Sequence, residues 1–237
     1  MRAINQSCFF LFVGLLPMMM DNAVAQERIS LADGTVLNVF IVEPSQATSP
    51  PHPLAIVMGG GPGSASISAD TSRWLGSGFA ARGWYVAVPI SPDNRSFRGA
   101  GNNALIEALI VALQGRPMVA SGKALLAGVS NGGMSALEIA RRNPAAYFGV
   151  AAVPALSDAR STNDSLRDFP VYLRIGGADE LGWADNFEET VANLNSAGVA
   201  LDAGVLEGAP HMFQMDWSTL GPWLDKVQAA PNGVPNN

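Results

Sequence analysis

From residue 28 onward the chain switches between short, almost wholly apolar runs and longer segments with helical spacing. Residues 28–31 and 36–43 alternate apolar and polar positions around Ala32-Asp33-Gly34-Thr35, and Asp-Gly between such segments predicts a hairpin. A Pro- and Ser-rich connector, 44–53, separates this hairpin from the run LAIVM at 54–58, a strand buried on both faces. Further strands are predicted at 84–90, 123–127, 149–153, 171–175 and 199–206. Helical segments fall between them. Residues 70–82 form the first, and 102–114 the second, with Leu105, Leu109 and Leu113 on one stripe. Residues 132–142 form a helix stopped by Asn143-Pro144, 184–197 one ended by Gly198, and 213–229 the last.

Strands alternating with helices predict an α/β domain: a mostly parallel sheet covered by helices on both faces, with the leading hairpin adding antiparallel strands at one edge. Neither an internal repeat nor a shift in composition divides it, so residues 26–230 form one domain and 231–237 a flexible tail. The N-terminus reads differently. Arg2 precedes an apolar run at 9–20, and Ala23-Val24-Ala25 follows: the layout of a secretory signal peptide over residues 1–25. The run is shorter than the ~20 residues a spanning helix needs. A periplasmic or secreted protein with no membrane association after cleavage is expected.

Composition narrows the function. Apolar residues make up 48% of the 237 and charged ones 14%, which opposes disorder. The formal charge of −6, without any cluster of Lys and Arg, excludes a nucleic-acid partner. The single Cys, Cys8, lies in the leader, so a disulfide framework is excluded.

Ligands of open α/β sheets bind outside the carboxyl ends of the strands. There stands Gly128-Val129-Ser130-Asn131-Gly132, a G-x-S-x-G motif directly between a buried strand and a helix. The glycines leave room for a strained turn that exposes Ser130, and the helix start directs N–H groups toward an oxyanion. A serine needs a base. Of the two histidines, His211 follows the last strand at the correct end of the sheet, whereas His52 sits at the amino end of a strand and reads as a solvated loop residue. The acid that orients the base is Asp179, with Glu180 and Asp185 as neighbours able to replace it and Asp158 one strand earlier. Backbone N–H groups of Asn131 and of Gly61, in the loop GGGPG, would form the oxyanion hole. That loop fits neither G-x-x-x-x-G-K-[ST] nor G-x-G-x-x-G, so no nucleotide is expected. No cofactor and no metal are expected, since no metal-binding motif is present. Segments 91–103 and 154–170 could wall the site, Trp183 could bind substrate, and Arg95 and Arg98 could meet an acidic leaving group.

With strand-GGGPGS, strand-GVSNGG-helix, strand-GGADE and strand-GAPHMF in this order, residues 28–229 resemble the α/β-hydrolase superfamily. Within it the chain is similar to small secreted serine esterases: feruloyl and acetylxylan esterases, polyhydroxybutyrate depolymerases and dienelactone-hydrolase-like enzymes. It is also similar to prolyl-oligopeptidase-like catalytic domains. The segment MGGGPG looks like the HGGPG of proline iminopeptidases, with Gly59 in place of His. The resemblance implies the order Ser130, Asp179, His211 for nucleophile, acid and base, and two-step acyl transfer on a small-molecule or polymer-derived ester. The short segment between residues 153 and 171 leaves little or no room for a cap. A peptidase or acyltransferase on the same fold, and an exported binding protein with a silent site, are the alternatives.

Overall fold

Residues 52–58 open with His-Pro and continue as five apolar side chains, and this strand lies at the centre of the sheet in the computed structural model. The structure describes residues 24–44, 49–157 and 164–230. Among the described residues eight strands form one sheet: β1 Val24–Ser30, β2 Val36–Val42, β3 His52–Met58, β4 Tyr85–Pro89, β5 Val119–Gly128, β6 Tyr147–Ala152, β7 Pro170–Gly176 and β8 Ala200–Leu206. Their spatial order is β1-β2-β4-β3-β5-β6-β7-β8. The hairpin β1–β2 joins β4 antiparallel, and from β4 to β8 every pair is parallel. The fold is that of the α/β-hydrolases.

Alternation along β3 divides the core. Leu54, Ile56 and Met58 point into one apolar layer, whereas Ala55 and Val57 point into the other. The first layer is closed by α3 Ala100–Gln114, α4 Asn131–Arg142 and α5 Phe187–Ser196, through residues such as Leu109, Ile139 and Leu194. The second is closed by α1 Ala65–Thr71, α2 Ser77–Ala80, the turn Ser72–Gly76 between them and α6 Trp217–Ala229, through Leu75 of the turn, Phe79 and Leu224. Burying such a side chain stabilises the fold by roughly 1.5–3 kcal/mol. Trp217 locks α6 onto α2: its ring meets Phe79 edge-on at 5.3 Å, and Arg82 stacks over it at 4.2 Å.

Several boundaries differ from the sequence pattern. The helix predicted at 70–82 begins earlier, because Ser64 caps Ile67 N–H, and it contains a π-helical turn at Ser72–Gly76 between α1 and α2. The last helix starts at Trp217 rather than 213, because the side chain of Asp216 caps Ser218 N–H. β5 extends four residues further back than its apolar core. That extension changes His52, which is 5% exposed as the first residue of β3, with its N–H donated to Met118 at 2.8 Å. It is not a solvated loop residue, because the lengthened β5 pairs with the strand's start and draws it into the sheet.

The connection from β6 to β7, residues 153–169, holds a single 3-10 turn in its described part, Asp164–Leu166. Asp158 lies outside the described residues, as do the tail 231–237 and residues 1–23 of the predicted leader. Val24 and Ala25, the last two leader positions, pair with Val42 and Ile41 at the exposed end of β1. Among the described residues no helix is long and apolar enough to cross a membrane.

Candidate active site

The strand β5 ends at Gly128 and the helix α4 begins at Asn131, which leaves two residues to reverse the chain. Ser130 does so with φ 55° and ψ −120°, a left-handed conformation that costs a residue with a Cβ of order 1–3 kcal/mol. Neighbouring carbonyls hold it there: Ser130 N–H donates to Pro154 at 2.8 Å, and Met134 N–H returns to Ser130 at 3.0 Å. The flanking glycines are dictated by space. A Cβ on Gly132 would lie far inside contact distance of the Met58 carbonyl oxygen, and one on Gly128 would strike the Gly132 carbonyl. Both sequence-predicted glycines therefore serve close backbone approach.

The loop after β3 runs beside this turn. Gly60 comes closest to the serine: a Cβ there would be 3.3 Å from Ser130 Cβ. Gly61 has φ +51°, and its carbonyl accepts a hydrogen bond from the Asn131 side-chain amide at 3.0 Å. The two residues chosen from sequence as oxyanion donors are thus joined to each other. Gly60, not singled out in the sequence, shares the cavity wall with Gly61. Gly59 packs against α1. A side chain there would meet Ile67 at 3.0 Å and Thr71 at 3.2 Å, so the histidine of the HGGPG pattern would require both of those side chains to shift.

His211 and Asp179 arrive from the ends of β8 and β7. His211 Nδ1 lies 2.7 Å from Asp179 Oδ2, and both side chains are almost wholly shielded from solvent. The second oxygen, Asp179 Oδ1, accepts Leu181 N–H at 2.8 Å, which fixes the carboxylate. Glu180 has a different task. Its carboxylate accepts His211 N–H at 2.9 Å, and that bond holds its pKa below the usual value. Asp185 is exposed and Glu180 binds the backbone, so Asp179 is the carboxylate on the imidazole. Sequence alone left that choice open, because the three acids lie within seven residues.

The other ring nitrogen, His211 Nε2, is buried without a hydrogen-bond partner in the protein. His211 and Ser130 line the same cavity of about 410 Å³. An orphaned nitrogen in such a place is poised to exchange a proton with a nucleophile or a substrate. Trp183 contacts the imidazole edge-on, with centroids 4.9 Å apart, and belongs to the packing around the base rather than to the cavity lining. Trp74, at the centre of the π-helical turn, does line the cavity. No periodic signal in the sequence marked it. Arg98 lies beside Glu138 and Met134, and neither it nor Arg95 borders the cavity. Of the predicted walls, the loop after β4 does not line the cavity: Ser91, Ser96 and Phe97 are buried and residues 92–95 face solvent. Among the described residues no group of three or more His, Cys, Asp or Glu could hold a metal ion.

A family model described as "Dienelactone hydrolase family" matches residues 96–231. No curated protein sequence matches the chain significantly. Among solved structures, dipeptidyl peptidase 4 of Porphyromonas gingivalis superposes with a TM-score of 0.62 at 19% identity, over 87% of this chain. A thermostable esterase gives 0.61 at 12% identity over 86%, and a protein described as a dienelactone hydrolase from Klebsiella pneumoniae gives 0.64 at 18% over 88%. The chain spans 35% of the peptidase and 62% of the esterase, but 98% of the Klebsiella protein.

Proposed function

The chain belongs to the dienelactone hydrolase family, and from that premise we propose that it is an exported serine hydrolase that cleaves carboxylic esters through an acyl-enzyme. The observation that carries this reading is the pairing of a strained, cavity-lining Ser130 with a buried His211 whose Nε2 has no partner and whose Nδ1 is held by Asp179. Export rests on the leader pattern of residues 1–25.

The steps follow from these atoms. Ser130 Oγ attacks the ester carbonyl carbon as its proton passes to His211 Nε2. Asp179 Oδ2 keeps Nδ1–H in place and stabilises the imidazolium. The oxyanion is met by Asn131 N–H, at the first turn of α4, and by N–H groups of the Gly60-Gly61 loop; the helix dipole adds to the field. Collapse of the tetrahedral intermediate breaks the C–O bond, and the alcohol leaves with the proton from Nε2. Water then gives a proton to Nε2 and attacks the acyl carbon. The acid is released and Ser130 regains its hydrogen.

Likeness to the peptidase is one of fold, and no feature of this site requires a peptide substrate. Intact-mass analysis after treatment with a fluorophosphonate tests the proposal. One adduct on the wild-type protein and none on Ser130→Ala is the expected result. A folded protein that takes no adduct would leave the binding-protein reading in its place.

A further inference from the structure

The cavity at Ser130 is walled mainly by α1, the π-helical turn and the two loops that deliver acid and base. Ile67, Thr71 and Trp74 contribute from the helical side, and Leu181 and Met212 from the loops. Leu181 is 59% exposed and Met212 54%, so apolar side chains also form the rim. Leaving them in water has no structural return, whereas a ligand that covers them gains their burial. The π-helical turn is a second sign. Such turns are rare and recur at functional sites, and this one carries Trp74 into the wall.

Charge points the same way. Among the described residues the one carboxylate in the cavity lining is Asp70, exposed and paired with Arg73 at 2.5 Å. No Lys or Arg among the described residues lines the cavity, and the cations that sequence offered for an acidic substrate, Arg95 and Arg98, stand outside it. An anionic substituent here would lose its hydration, find no cation in the described lining and stand beside a carboxylate that already holds Arg73.

We infer that this cavity takes an uncharged, apolar chain attached to the ester, and that it discriminates against esters carrying a carboxylate. The inference rests on the ester-hydrolase reading, and binding separates the two. Ser130→Ala protein is titrated at neutral pH and low salt with ethyl hexanoate, hexyl acetate and monoethyl adipate, by calorimetry. The first and third have acyl chains of equal length and differ in the terminal charge. Each buried methylene is worth about fourfold in affinity. At least one neutral ester should therefore bind at least about tenfold more tightly than monoethyl adipate. Trp74→Ala in the same background should cut that margin by about fivefold or more. Asp70→Asn, an exposed change that leaves the core untouched, should raise the affinity for monoethyl adipate about threefold relative to the neutral esters.

Monoethyl adipate binding as tightly as both neutral esters would overturn the inference, and so would an unchanged ratio in Asp70→Asn. Wild-type turnover is measured in parallel. Neutral esters that bind as expected but are not hydrolysed would overturn the ester-hydrolase reading and leave the cavity's preference standing.

Discussion

The side-chain amide of Asn131 donates to the carbonyl of Gly61 across 3.0 Å, joining the residue after Ser130 to the loop that follows β3. The bond orients the left-handed Gly61 peptide against the start of α4, where the oxyanion would sit. Asn131→Ala keeps the backbone N–H and removes this tie. A hydrogen bond of this kind contributes about 0.5–1.5 kcal/mol. The expected result is a fall in kcat of roughly 3- to 10-fold with little change in KM, read from steady-state kinetics on a short-chain ester.

Asp179 and Glu180 are adjacent acids with separate partners on the same histidine, one on the ring and one on the backbone. Asp179→Asn would present an amide to Nδ1 and favour the wrong tautomer. Its kcat should fall by about 10⁴, by analogy with other triads. Glu180→Gln keeps an acceptor for His211 N–H and should stay within about tenfold of wild type. Equal losses in the two variants would assign the orienting role to the pair rather than to Asp179.

Glu180 also gives a pH signature. The His211 N–H bond lowers its pKa from the usual 4.5. A carboxylate lowered on folding stabilises the native state above its unfolded pKa, and that contribution disappears as pH falls through the folded value. The difference in Tm between wild type and Glu180→Gln should be largest near neutrality and close below pH 4.5. Thermal melts of both proteins across that range check the sign.

All three tyrosines, Tyr85, Tyr147 and Tyr172, have phenols raised by burial, Tyr147 to about 12. A raised phenol binds its proton more firmly in the native state. Its stabilisation is complete below the ordinary value near 10 and is lost as pH rises through the folded value. Absorbance at 295 nm should show no full tyrosinate step near pH 10 in native protein. Denatured protein should show it there.

Gly132→Ala tests the backbone contact behind Ser130. The new methyl group would overlap the Met58 carbonyl on β3, and neither backbone can withdraw without breaking the sheet. A loss of several kcal/mol, or failure to fold, is expected from denaturant unfolding. Gly101→Ala is the control, because a Cβ there meets nothing within 4 Å in a helix.

Much of the site was legible from residue order alone. A motif glycine pair, a serine between strand and helix, and a histidine after the last strand all encode local geometry: a tight turn, or a loop at the sheet's carboxyl edge. Short apolar runs identified the parallel strands, because burial on both faces leaves no polar positions. His52 was misread for the converse reason. Its neighbours in sequence are prolines, and its place in β3 comes from backbone pairing with Met118 and Val119, more than sixty residues away.

The sequence by itself determined that this chain forms a helix-covered parallel sheet and which strand ends carry the serine and the histidine, since periodicity and turn glycines are local properties. Tertiary structure decided the rest: that Asp179 rather than Glu180 reaches the imidazole, that Gly60 presses against the serine, that Trp183 backs the base, and that Trp74 walls the cavity. Those outcomes depend on how side chains from separate strands and helices meet, and differences of a few ångströms between neighbouring residues leave no trace in a one-dimensional pattern.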